Sequence, residues 1–373
     1  MTDEDDPQTA KASLTWYDSR ANQPHRSAEF RLYYTTDFIQ EHAQAGDMLF
    51  VATREGGSVL VIVAVAGSTT ESQLLHLFGV AVDEGRVTKK LIAGADDIVL
   101  NAATTYILDN LGIASVVSPT ETESIRDMLS REFNLIMPTT KVFSDFVRRY
   151  LGKEVSPLDD PDAALMKYWQ TETLFFKTIE KVGIEQWLSE GNKTAEDFLK
   201  FSLSIHQTRK SRAGDAFENH VEALFQMHDV YYSRQPITEH NNKPDFIFPS
   251  INAYHDATFP VDTLTMLAMK TTAKDRWRQA LAEAERINKK HLATLEPSIS
   301  VKQTTQMQAR NLTLVVPTEI KATYKPEQHS ALMTLTEFIQ LVKERQKSEF
   351  FTPNLIPIPA VPKKAAISKP RKK

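Results

Sequence analysis

Three short apolar runs in the C-terminal half constrain most tightly what this chain can fold into. "PDFIFPS" (244–250), "TLTMLAMKTT" (263–272) and "NLTLVVPT" (311–318) are of strand length, rich in β-branched and bulky apolar residues, and bounded by turn-forming or polar residues. Helix-favouring stretches lie before, between and after them. These are "LMKYWQTETLFFKTIEKVG" (165–183), "TAEDFLKFSLSIHQTRKSRAG" (194–214), "DAFENHVEALFQMHDV" (215–230), residues 274–294, and "TLTEFIQLVKERQ" (334–346). Helices alternating with strands predict an α/β domain around a central sheet, here over 165–350.

At 373 residues the chain exceeds one ordinary domain, so a second is expected. "FRLYYTT" (30–36), "DMLFVAT" (47–53) and "SVLVIVAVAG" (58–67) read as strands, with "REGGS" (54–58) as a hairpin loop. "STTESQLLHLFG" (68–79) has an N-cap and a terminal glycine, and "TETESIRDMLSREF" (120–133) reads as another capped helix. Residues 1–136 are therefore expected to form a small β-barrel-like domain with packed helices. Residues 137–164 read as a linker and connecting segment, because "GKEVSPLDDPDAA" (152–164) has two prolines and four acids. The tail, 351–373, is proline-rich and basic, and is expected to be disordered.

Several function classes fall away. The chain has no cysteine, which excludes disulfides, zinc–cysteine sites and thiol catalysis and is compatible with a reducing cytoplasm, the expected location. No apolar run reaches the roughly 18–20 residues that span a bilayer, so no membrane partner is expected. The start, "MTDEDDP", is acidic and lacks the pattern of a signal peptide. A formal net charge of −4 means that any nucleic-acid contact must come from a local patch.

The sharpest chemical signal is Lys270, delivered to the edge of a core by the run Met266, Leu267, Ala268, Met269. A buried ammonium is costly without an anion. Three carboxylates are candidates: Asp245, which follows Pro244 at the start of "DFIF"; Glu218, in a helical stretch; and Glu283. A Pro-Asp opening one strand and a lysine ending its neighbour is the arrangement of magnesium-dependent phosphodiesterases. Mg2+ takes hard oxygen ligands and keeps waters, so one or two carboxylates suffice. The usual pattern has an acid two residues before the lysine, where this chain has Ala268. If 274–290 is helical, Arg276 and Glu283 stand two turns apart on one face. The triplet Lys274, Asp275, Arg276 suits G·C pairs, since Lys and Arg read guanine O6 and N7 and Asp accepts from cytosine N4. His255 and Asp256, in "AYHDATF", suggest a metal pair less well than a loop of satisfied polar groups.

"TRKSRAGDAFENHVEALF", "NNKPDFIFPSINAYHDATFPV", "MLAMKTTAKDRWRQALAEAERI", "LTLVVP" and "ALMTLTEFI" closely resemble the catalytic domain of the EcoRII family of type II restriction endonucleases, which includes PspGI. The likeness runs from about Met137 to Val342. It implies a PD-(D/E)XK nuclease fold with the second acid moved to the helix. It implies Asp245, Lys270 and Glu283 as the catalytic set, Asp245 and Glu283 as Mg2+ ligands, and Glu218 as an accessory acid. By the same likeness Lys274, Asp275 and Arg276 would read the C·G steps of a CCWGG-type site, with Arg209 and Arg212 as further DNA contacts. Cleavage of double-stranded DNA before the first C of each strand by a homodimer, paired with a cognate DNA methyltransferase, is also implied. "SRANQPHRSAEFRLYY" (19–34) resembles the DNA-contacting arm of the family's effector domain, a pseudobarrel that binds a second site copy. Its Arg20, Asn22, His25, Arg26 and Arg31 suit phosphate and base contacts. Two other readings stay open: an endonuclease whose N-terminal domain senses modified bases, and a catalytically inactive DNA-binding regulator.

Overall fold

The structure is a computed structural model that describes residues 10–34, 43–53, 57–80, 88, 102–110, 119–191, 193–273 and 276–347. The expected basic tail, and the reading residues Lys274 and Asp275, lie outside the described residues.

The N-terminal part forms two separate antiparallel ribbons. One pairs β1 (Leu14–Asp18) with β2 (Phe30–Tyr34), the other β3 (Met48–Thr53) with β4 (Val59–Ala64). No strand joins the two ribbons among the described residues, so the expected barrel is not seen there. Helix α1 (Thr69–Phe78) has the ends its sequence predicts. The Ser68 side chain caps its first turn, and Gly79 closes it in the left-handed region at φ 56°. Helix α2 (Ala102–Asn110) follows. Both helices touch the C-terminal body: the Ser300 amide donates to Thr69 Oγ1, Gln73 Nε2 to the Pro297 carbonyl, and the Tyr106 hydroxyl to Thr272 Oγ1.

The helical layer of the C-terminal body begins earlier than expected. Helices α3 (Pro119–Phe133) and α4 (Thr140–Leu151) pack on α5 (Pro161–Ser189) and place Leu129, Phe143, Val147 and Leu151 in the common core. The segment 137–164 is thus not a free linker. Its acidic end is structural, because the buried Asp162 accepts hydrogen bonds from the Leu335 and Thr336 amides. The two helices expected over 194–230 are one, α6 (Ala195–Met227). Gly214 lies inside it with open space around its Cα, so nothing in packing forces a break.

A six-stranded mixed sheet carries the rest, in the order β10-β9-β8-β7-β6-β5. Strands β5 (Ser233–Arg234) and β6 (Phe246–Phe248) are antiparallel; α7 (Ile251–His255) leads to β7 (Thr265–Met269), antiparallel to β6. After α8 (Trp277–Leu281), β8 (Lys290–Ala293) runs parallel to β7. Helix α9 (Val301–Gln308), β9 (Leu312–Val315), α10 (Thr318–Lys321), β10 (Leu332–Met333) and α11 (Leu335–Arg345) complete the body, with β9 and β10 also parallel to β8. Both faces of the sheet are covered: all five residues of β7 and all four of β8 are buried. Rings of Phe225 from α6, Phe246 and Phe248 from β6, and Phe338 from α11 pack edge-to-face or tilted, pinning helices to the sheet. No described helix is long and apolar enough to cross a membrane.

The expected helix 274–294 is a correction. Only Trp277–Leu281 is helical, Ala284 takes φ 49°, and 290–293 is a central strand. Helix-favouring Ala, Glu and Arg residues are overridden here by burial of "KHLA" between β7 and β9.

Candidate active site

The antiparallel register of β6 and β7, with Phe246 opposite Leu267, puts the start of β6 beside the end of β7. Residue 245 therefore meets residues 269 and 270 although they are far apart in the chain. The Met269 amide donates to Asp245 Oδ2 at 2.6 Å, and Lys270 Nζ stands 3.3 Å from the same oxygen. Both side chains are largely buried, 14% exposed for Lys270 and 11% for Asp245. The Lys270 amide in turn donates to the Ala293 carbonyl of β8, which fixes the strand end carrying the ammonium.

Glu283 joins this pair from the turn after α8. Burial pushes its carboxyl up to about 7; the Lys270 ammonium pulls it down, and the Asp245 carboxylate adds to the rise. Both charges are thus near enough to be felt at Glu283. Its Oε2 is buried and has no hydrogen-bond partner among the described residues. Arg276 and Glu283 do not share a helical face as expected, since the helix between them is one short turn.

Glu218, on α6, approaches from the other side. Its Oε2 accepts from Arg234 Nη2 and Gln235 Nε2, each at 3.0 Å. Burial raises its pKa, and the Asp245 carboxylate adds to the rise, against the pull of Arg234 and Gln235. The Gln235 amide donates to the Asp245 carbonyl, so the β5 end ties the helix acid to the strand acid. Arg234 was not singled out in the sequence; an arginine in a two-residue edge strand leaves no periodic trace.

The buried Asp245 carboxylate and the half-buried Glu283 carboxylate, beside a lysine, form a hard-oxygen donor set. No group of three or more His, Asp or Glu side chains placed to hold a metal is found among the described residues. Hard oxygen donors of this kind suit a divalent cation that completes its shell with water and phosphate. Asp256 accepts from the Thr258 amide and hydroxyl, as expected of a satisfied loop.

Of the expected DNA contacts, Arg276 is exposed just ahead of α8. Just past Lys270, the Ala273 amide donates to the buried Glu296 carboxylate and the Tyr106 hydroxyl to Thr272 Oγ1. Arg209 grips Glu180 with two hydrogen bonds. Arg212 is a correction: its guanidinium lies over the rings of Phe143 and Phe176 and donates to the Pro138 carbonyl, so it serves the helical layer from within. In the N-terminal arm, Arg20 and Arg31 both pair with Glu29. Asn22, His25 and Arg26 lie exposed in the turns between β1 and β2.

Residues 176–339 match the family model described as EcoRII C terminal. Over 181 residues the chain is 42% identical to the type II restriction enzyme EcoRII of Escherichia coli, covering 48% of this chain and 45% of that enzyme. The type II restriction enzyme SsoII of Shigella sonnei is 25% identical over 156 residues, covering 38% and 49% of the two chains. The aligned part thus spans about half the length of these curated relatives. Among solved structures, metal-depleted Ecl18kI in complex with uncleaved, modified DNA has a TM-score of 0.49 at 20% identity, covering 60% of this chain and 84% of that one.

Proposed function

Since residues 176–339 carry an EcoRII C-terminal domain, we propose that the chain is a type II site-specific deoxyribonuclease of PD-(D/E)XK type. It hydrolyses phosphodiesters of double-stranded DNA with Mg2+, at a C·G-flanked site of CCWGG type. One observation carries the reading: the β6/β7 register brings Asp245 and Lys270 together at one end of a buried mixed sheet.

Asp245 and Glu283 would hold the metal. When bound, Mg2+ lowers the pKa of a water and offsets charge on the phosphate and leaving oxygen. Asp245, fixed by the Met269 amide, holds Lys270 in place. The Lys270 ammonium orients the attacking water and meets the anionic phosphate in a site with little solvent. Glu218, restrained by Arg234 and Gln235, is an accessory acid that holds charge or a proton near Asp245. Lys274, Asp275 and Arg276, on the loop that leaves Lys270, read the paired C·G steps. The enzyme acts as a homodimer in the cytoplasm, alongside a methyltransferase that marks the same site. The β1–β2 arm, with Asn22, His25 and Arg26 at its turns, contacts a second DNA site in a pseudobarrel domain.

The test uses plasmid DNA carrying CCWGG sites. The full chain with Mg2+ should give discrete fragments, and Lys270→Ala should bind the same DNA without cutting it. Intact plasmid with the wild-type chain across Mg2+ and Mn2+ concentrations, despite DNA binding, would replace this reading with that of an inactive regulator.

A further inference from the structure

The Glu283 carboxylate is not held by its own hydrogen bonds at Oε2, which is buried and unpartnered among the described residues. Its position must come from the backbone beneath it. That backbone is unusual. Helix α8 ends at Leu281, and Ala284, two residues past the Ala282 C-cap, is buried in the left-handed region at φ 49°. An alanine stays there only where its surroundings over-determine the turn.

The surroundings supply a buried ammonium. Lys290, the first residue of β8, is 7% exposed. Its Nζ donates to the carbonyl of Glu283 and, at 2.9 Å, to that of Ala284. These carbonyls lie in the turn just past the end of α8. The Ala284 carbonyl also accepts from the Ile287 amide, but the Glu283 carbonyl turns to the Lys290 ammonium, and an aliphatic residue at 290 could not serve it. From the opposite side, Asn242 Nδ2 donates to the Ala282 carbonyl at 2.8 Å. Two groups from outside the turn therefore hold three consecutive carbonyls, those of residues 282, 283 and 284.

We propose that Lys290 is a positioning residue for Glu283: by tying the carbonyls of residues 283 and 284 to the start of β8, it aims the carboxylate at Asp245 and Lys270. β8 pairs with β7, the strand that ends in Lys270, so one rigid element places both the ammonium of the site and its second acid. The inference rests on the metal-dependent nuclease reading above and deepens it.

The experiment measures Mn2+ binding to the full chain without DNA by calorimetry, for wild type, Lys290→Met, Lys290→Arg, Asn242→Ala and Glu283→Ala. Far-ultraviolet circular dichroism and thermal melts report folding. Loss of an outer partner of a metal-binding carboxylate typically weakens metal affinity about 10–100-fold. Lys290→Met should fall in that range, Lys290→Arg should recover most of it, and Asn242→Ala should weaken binding about threefold or more. Duplex binding without divalent cations should stay near the wild-type level in Lys290→Met and Asn242→Ala, separating a local aiming role from general damage. Folded Lys290→Met with wild-type Mn2+ affinity overturns the inference alone. If Lys290→Met does not fold, Asn242→Ala decides: unchanged affinity overturns the inference, weakened affinity supports it. A wild-type chain that takes up no Mn2+, or a Glu283→Ala variant that binds it equally well, overturns the metal-site reading and the inference with it.

Discussion

Lys270 Nζ lies 3.3 Å from Asp245 Oδ2, an oxygen that also accepts the Met269 amide. The contact is made by strand register: the first side chain before β6 is set against the last residues of β7. Removing one partner of a buried ion pair is costly, because the other charge is left uncompensated. The pair therefore stands or falls together, and its chemistry should respond to loss of one charge even when shape is preserved.

Asp245→Asn tests this. The amide oxygen can still accept from Met269, so the strand junction should survive. Single-turnover cleavage should drop by about 10²–10⁴-fold, the range of a positioned acid–base group. Duplex binding in Ca2+ should change little. Cleavage within a few-fold of wild type would remove Asp245 from the reacting centre.

The pH dependence of stability follows from Glu283, whose carboxyl is pushed up to about 7 mainly by burial. In the unfolded chain it ionises near the ordinary value of 4.5. Between the two values the folded protein holds a proton that the unfolded chain has lost, so this group makes stability fall as pH rises from about 4.5 to 7. Denaturant midpoints of the metal-free protein at pH 5 and pH 8 should differ less in Glu283→Gln than in wild type. An identical slope in both would show that Glu283 titrates normally.

Arg276 is exposed at the start of α8 and is the described member of the proposed reading triplet. Arg276→Ala should reduce discrimination between a cognate duplex and one with a changed C·G step by about 1–3 kcal/mol. Competition binding measures this. Arg209→Ala, whose side chain grips Glu180, should leave discrimination unchanged. An equal loss on all duplexes would make Arg276 a phosphate contact instead.

Asp162 joins the starts of two helices from a buried position, 2% exposed, by accepting from the Leu335 and Thr336 amides at 2.9 Å. Asp162→Ala leaves those donors unsatisfied and should cost about 1–3 kcal/mol in urea denaturation. A neutral result would show that the Asp162 contacts contribute nothing to holding the two helix starts together.

The parts of the site that a linear reading could reach are those marked by local patterns. Pro244-Asp245 before an apolar run and Lys270 after one are visible because strand ends carry them, and Glu218 is visible on a long periodic helix. The surroundings of Glu283 were hidden. "RWRQALAEAERINKK" favours helix at nearly every position, but the chain stops at Leu281 and spends 290–293 as a strand between β7 and β9. Tertiary burial decides that choice, and no local propensity displays it. In 137–164 the prolines and acids suggest a loop, yet α4 is amphipathic and Asp162 is a buried cap. The role of Arg212 was unreadable for another reason: the family likeness suggests a DNA contact, and the rings of Phe143 and Phe176 are brought to it only by the packing of other helices.

The most direct test of the central claim is a crystal of the Lys270→Ala chain with a cognate duplex and Mn2+, examined by anomalous scattering. The account predicts a peak with carboxylate oxygens of both Asp245 and Glu283 at bonding distance, about 2 Å, next to the scissile phosphate. A peak bound elsewhere, or a Glu283 side chain turned away from a metal held by Asp245, would contradict it.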